Sequence, residues 1–179
     1  MQTTLPMPSF VEALVKELGI LSDHLLRCHT QFSAFKHARE EAVNNVDIAM
    51  IQLDWSENPK LRQSKEERSA YYNEDQVCLH AIHVWTMEGN QSMAALSDCT
   101  DHRADAVIAS VKPVLVDLAA KGKKFLNIIS DSHLNQYRNK KIFWLIQELA
   151  IMLGVIIQWL FLESGHGKGI PDGIYAVVK

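Results

Sequence analysis

Three apolar runs of strand length in this 179-residue chain each end on an acid. "VDIAMIQLDW" carries Asp54 next to its end, "KFLNIISD" stops at Asp131, and "VIIQWLFLE" stops at Glu163. The second and third runs are each preceded by a stretch with helical apolar spacing. Short apolar runs alternating with such stretches pack as a sheet with helices laid against it.

Between the first two runs, "QVCLHAIHVWTM" reads as a second strand, "EGNQ" as a hairpin turn and "SMAALSD" as a third strand. Residues 101–121 read as a helix with Val107, Val111, Val114 and Leu118 on one face. Pro113 is expected to restart or kink it. "NQYRNKKIFWLIQELAIMLG" reads as a second crossover helix with Gly154 as its C-cap, and "PDGIYAVVK" as the opening of a last one. Hairpins make the first three strands antiparallel, and crossover helices make the fourth and fifth parallel to the first. The expected fold is therefore α/β, a mixed five-stranded sheet with helices on both faces and an N-terminal helical extension. Residues 1–45 form the extension and 46–179 the core, which is read as cut short at its C-terminal end.

Within the extension, Ser9-x-x-Glu12 has the spacing of a capping box, so a helix is expected over 10–18, with Gly19 as its stop. "SDHLLRCHTQFSAFKHAREEAV" reads as a second helix, ended by Asn44-Asn45. Residues 56–76 form a long polar connection without apolar period, a length that in compact domains marks function or disorder. The run 142–162 has the length of a membrane span, but Gln147, Glu148 and Gln158 lie inside it and Gly154 divides it. Helix followed by strand accounts for both halves. Neither a secretory leader nor a membrane segment is expected, which leaves a nuclear or cytoplasmic setting.

Composition narrows the function classes. A net charge of −3 excludes a protein that is basic all over, so contact with nucleic acid must be local. Residues 121–141 provide such a patch: Lys121, Lys123, Lys124, Arg138, Lys140 and Lys141 against one acid, Asp131. Three cysteines make no even disulfide framework. Cys99-x-x-His102 and His24-x-x-x-Cys28 have zinc-like local spacings, but neither has a partner pair. His80, His83 and Trp85 read as core or sheet-face residues.

If the first, fourth and fifth strands are parallel neighbours, Asp54, Asp131 and Glu163 emerge at one edge, where open α/β sheets gather ligands. Clustered carboxylates repel one another unless a cation lies between them, and an all-oxygen set suits Mg²⁺ or Mn²⁺. Gly165, Gly167 and Gly169 would allow close approach of a bound strand, with Lys168 near a phosphate. The spacing is not that of a P-loop.

Three stretches also carry a resemblance: "QLDWSEN" with the following "LRQSKEERSAYYNEDQVCLHAIHVW", then "IISDSHLNQYRNKKIFWL", then "FLESGHGKGIPDG". They resemble motifs of the ribonuclease-H-like integrase/transposase superfamily, in a form found in transposon-derived proteins of animals. The resemblance implies metal-dependent phosphodiester cleavage and strand transfer on DNA, at transposon ends or target, by a core that can assemble as a homo-oligomer. It makes Asp54 and Asp131 the first two acids of a metal triad. The third is expected at Glu163, with Asp172 second, because the superfamily usually places it on the helix after the fifth strand. His166 would add a nitrogen ligand or act on a leaving group. Lys123, Lys124, Arg138, Lys140 and Lys168 would contact DNA. The alternative expectation is a domesticated relic that keeps the fold as a DNA- or protein-binding module without catalysis.

Overall fold

The computed structural model describes residues 7–56, 58, 76–163 and 169–178. One helix, α1 (Met7–Asn44), precedes the strands β1 (Ile48–Trp55), β2 (Cys78–Thr86) and β3 (Gly89–Ser97). Then follow α2 (Ala104–Ala120), β4 (Phe125–Asp131), α3 (Lys140–Leu153), β5 (Ile156–Leu162) and α4 (Ile170–Val178).

The five strands form one sheet in the order β3-β2-β1-β4-β5. β2 is antiparallel to both β1 and β3, whereas β4 is parallel to β1 and to β5. β2 alone therefore runs against the other four, as the hairpins and crossovers predict. Alternation along β1 separates two cores. Ala49, Ile51 and Leu53 face a cluster with Val107, Val111 and Leu115 of α2 and Ile142 and Leu149 of α3. Met50 faces the other side, where it meets Trp85, Ile129, Leu162 and Ala42 of α1. Helices cover both faces.

Several boundaries differ from those read in the sequence. α1 is a single 38-residue helix that passes straight through Gly19. Gly19 does not adopt the left-handed conformation that ends a helix, and an isolated interior glycine only weakens one. α2 is likewise unbroken around Pro113. Pro113 and Ala109, whose carbonyl loses its partner, both lie on the exposed side, where water replaces the missing bond. The hairpin turns at Met87 and Glu88, one step earlier than expected, and Gly89 at φ +140° already pairs with Thr86. α3 starts at Lys140, where the Asn139 side chain accepts from the Ile142 N–H at 3.0 Å. It ends as predicted on Gly154 in the left-handed conformation. Among the described residues no helix is long and apolar enough to cross a membrane.

Candidate functional site

Asp54 is the penultimate residue of β1 and Asp131 the last of β4. The two strands are adjacent and parallel, in a register that pairs Ile48 with Phe125 and continues to Gln52 with Ile129. Two residues further on, that register sets Asp54 level with Asp131. The β1–β4 ladder has stopped by then, yet each acid is still paired on its outer flank, Asp54 with Ala81 and Asp131 with Leu162. The sheet is thus forked between the two acids, both of them half-buried. Alternation places both on the face of Met50 and Ile129.

The segment after Asp131 is fixed by a turn. An Asp131 carboxylate oxygen accepts from the His133 N–H at 3.2 Å, and the Tyr137 N–H donates to the His133 carbonyl at 2.9 Å. Tyr137 itself is fully buried. Burial, followed by the nearby charges of Asp54 and Asp131, pushes its phenol well above its ordinary range, so the hydroxyl stays protonated. Both acids thus act on one buried group.

That hydroxyl lies 3.0 Å from His80 Nε2, while His80 Nδ1 lies 2.6 Å from Ser110 Oγ. Ser110 gives its own hydrogen to the Val107 carbonyl at 2.8 Å, so it must accept from His80. His80 is therefore neutral with its proton on Nδ1, and Tyr137 donates to Nε2. Burial, with a smaller contribution from His102, lowers the His80 pKa to about 3. Trp55, the residue after Asp54, is stacked between His80 at 4.0 Å and His102 at 4.6 Å. Sequence reasoning placed His80 in the core, where it is, but not in this relay. No spacing rule links residues so far apart in the chain.

The structure treats the third-acid candidates differently. One Glu163 oxygen accepts from Arg27 Nε at 2.7 Å, and the other lies 3.4 Å from His24 Nδ1. Its backbone N–H donates to the Gln31 side chain at 2.7 Å. Arg27 first, then His24, holds the carboxyl below its usual range. Glu163 is thus bound to α1, directly after β5, which β4 separates from β1. Asp172 lies in the first turn of α4, a helix that crosses β1 and β2. Gly169, just ahead of α4, approaches Gln52 so closely that a Cβ there would collide with the Gln52 amide. Gln52 shares a face with Asp54, so α4 begins over the side of the sheet that the two acids occupy. The Asp172 side chain, His166 and Lys168 lie outside the described residues.

The basic candidates divide as well. Arg138 and Lys140 are exposed and follow Asp131 at the acid edge. Lys123 and Lys124 precede β4, at the opposite end of the sheet. Lys123 is buried, its ammonium 2.8 Å from the Val46 carbonyl and 2.7 Å from Glu88. Lys124 pairs with Asp47 at 3.1 Å. The direction of β4 carries these two DNA-contact candidates away from the acids.

Among the described residues no three histidine, cysteine or acidic side chains are grouped to hold a metal. The donors that are described, two level carboxylates across a fork, fit the oxygen-only preference of Mg²⁺ or Mn²⁺ as part of a site.

A family model described as a domain of unknown function, DUF8701, matches residues 31–179. The chain belongs to the DUF8701 family. No curated protein matches it. The DUF8701 match begins part-way along α1 and takes in the whole sheet, both acids, the Tyr137–His80 relay and α4.

Proposed function

We propose that this DUF8701 chain is a ribonuclease-H-like, transposon-derived integrase/transposase-type core that acts on DNA. The observation that carries the reading is the level placement of Asp54 and Asp131 on adjacent parallel strands. The strand order, with β2 alone reversed, and the helix after β5 lying over the same face agree with the motif resemblance. Asp54 and Asp131 supply carboxylate oxygens to Mg²⁺ or Mn²⁺, and we favour Asp172 over Glu163 as the third acid, because Glu163 is engaged by Arg27 and His24. Held by these carboxylates, such an ion would supply activation of a water or terminal hydroxyl and charge stabilisation at the leaving oxygen of a phosphodiester. Arg138 and Lys140 hold backbone phosphates. Tyr137, kept protonated, ties the segment after Asp131 to β2 and so sets the position of that acid. His166 and Lys168 belong to the same reading as a nitrogen ligand and a phosphate contact.

The relic alternative, a DNA- or protein-binding module without catalysis, is favoured only where Glu163 is the third acid, since its carboxylate is occupied by Arg27 of its own chain. A nicking assay on supercoiled and oligonucleotide DNA separates the two. Nicking with Mn²⁺ that is lost in Asp54→Asn and Asp131→Asn supports the enzyme. Salt-sensitive DNA binding without nicking supports the relic, and no DNA binding at all overturns both DNA readings.

A further inference from the structure

α1 is longer than the sheet it packs on. Its C-terminal half is seated, with Cys28 and Ala42 buried, Phe35 and Ala38 packed on the cluster that contains Trp85, and Gln31 bonded to Glu163. Its N-terminal half is not. Met7, Val11, Leu14, Leu18, Leu21 and Leu25 are all exposed, the last five each to between 46% and 57%. These six recur at steps of four and three, and the next step of three lands on buried Cys28. Alternating steps of four and three are the seam of a coiled coil. A single seam therefore runs along the helix, closed at its lower end by the chain's own sheet and open above it.

We infer that the open seam closes on the same seam of a second copy, as an antiparallel helix pair. A second copy offers a matching exposed 4-3 stripe, whereas the stripe of that spacing in α2, Val107, Val111, Val114 and Leu118, is already buried against the sheet. Residues 59–75, "PKLRQSKEERSAYYNED", are charged and lack that spacing. The seam is flanked by Phe10 and Val15, also exposed, and the few charges of the segment leave it apolar. Overlap of residues 7–25 spans roughly 28 Å of helix. Half-exposed side chains along that length cover on the order of 700 Å² per copy, close to the ~800 Å² per partner of a standard stable interface.

Orientation follows from what blocks the lower seam. A parallel partner would drive its own lower half into the sheet that already occupies that position. An antiparallel partner enters from the N-terminal side of α1 and leaves the two sheets at opposite ends of the pair. Leu14 then meets Leu18 of the partner, Val11 meets Leu21, and Met7 meets Leu25. Glu17 comes to face its own copy, a like-charge contact at the edge of the seam.

Sedimentation velocity on the full chain tests this from about 1 to 100 μM. The expected result is a mass twice that of the monomer, reduced to monomer in Leu18→Glu with circular dichroism unchanged outside α1. Ile151→Glu, at an equally exposed apolar residue of α3, remains a dimer. Glu17→Gln tightens the dimer. In a Cys99→Ser background, Leu14→Cys with Leu18→Cys forms an intermolecular disulfide, whereas neither single variant does. A monomer at the highest concentration, or a dimer that survives Leu18→Glu, overturns the inference. In the first case, flotation of the monomer with anionic phosphatidylserine vesicles would assign the seam to a lipid surface instead. Cross-linking of the single variants overturns the antiparallel arrangement.

Discussion

The hydroxyl of Tyr137 donates to His80 Nε2 across 3.0 Å, fastening the segment that follows one candidate acid to the strand that flanks the other. The bond leaves His80 with a single compatible state, neutral with its proton directed at Ser110. A proton added to Nε2 would remove the acceptor on which Tyr137 depends.

The pH dependence of stability follows from that state. His80 has a folded pKa of about 3 against an ordinary 6.5, so the unfolded chain binds the proton first as pH falls. No penalty exists above pH 6.5, and it accumulates down to about pH 3 at roughly 1.4 kcal/mol per unit. Moving from pH 7 to pH 5 should cost about 2 kcal/mol from this one group. His83 and His102, both lowered by burial, add in the same direction. Urea unfolding across this range should show the slope, and His80→Gln should flatten it by about one proton. An unchanged slope in that variant would remove His80 from the account.

Divalent metal should stabilise the folded chain by mass action, by about 2.7 kcal/mol at one hundred times the dissociation constant. Asp54→Asn and Asp131→Asn should each abolish the rise in melting temperature with Mn²⁺ while leaving the fold intact. Asp172→Asn should weaken it as well, whereas Glu163→Gln should preserve it, because Glu163 is committed to Arg27 and His24. If Glu163→Gln alone removes the response, Glu163 is the third acid and its ion pairs yield to the metal.

DNA affinity separates the two groups of basic residues. Arg138→Ala and Lys140→Ala should each weaken binding on every sequence and lower the salt slope by about one. Lys123→Met should leave binding unchanged but destabilise the fold, by about 1 kcal/mol, since the Val46 carbonyl and the Glu88 carboxylate lose their donor. Filter binding over a salt series reads the first effect and thermal unfolding the second. Loss of affinity in Lys123→Met at constant fold would relocate the interface to the far end of the sheet.

Two glycines should respond in opposite ways to alanine. Gly154 caps α3 at φ 65°, a conformation that disfavours a Cβ, so Gly154→Ala should cost about 1 kcal/mol. Gly19 is inside α1 with open space around a Cβ, so Gly19→Ala should gain about 0.5–1 kcal/mol of helix stability. Opposite shifts in melting temperature are the expected reading.

Much of the sheet was legible in the sequence because strand length, hairpin spacing and crossover helices constrain topology strongly. The acids at the ends of β1 and β4 were legible for the same reason, since position along a strand fixes which edge a side chain reaches. Gly19 misled because a helix stop depends on backbone conformation, which glycine permits but does not impose. The open seam of α1 became visible only once that helix proved continuous. The burial of Lys123 against the Val46 carbonyl and Glu88 was not legible, because a charge count does not show which lysine the fold encloses. Tyr137, His80 and Ser110 meet through tertiary packing alone, and local pattern carries no trace of it. The family match covers the whole sheet without assigning it a role.

The fork between β1 and β4 has a mechanical consequence. Asp54 is carried by the antiparallel half of the sheet and Asp131 by the pair β4–β5, and among the described residues the β1–β4 pairing ends at Gln52 and Ile129. A small shear between the halves therefore translates directly into a change of carboxylate spacing. Two contacts bridge the gap: the Tyr137–His80 bond on one side and the close seat of Gly169 on Gln52 on the other. Loosening either clasp would retune the spacing without touching an acid.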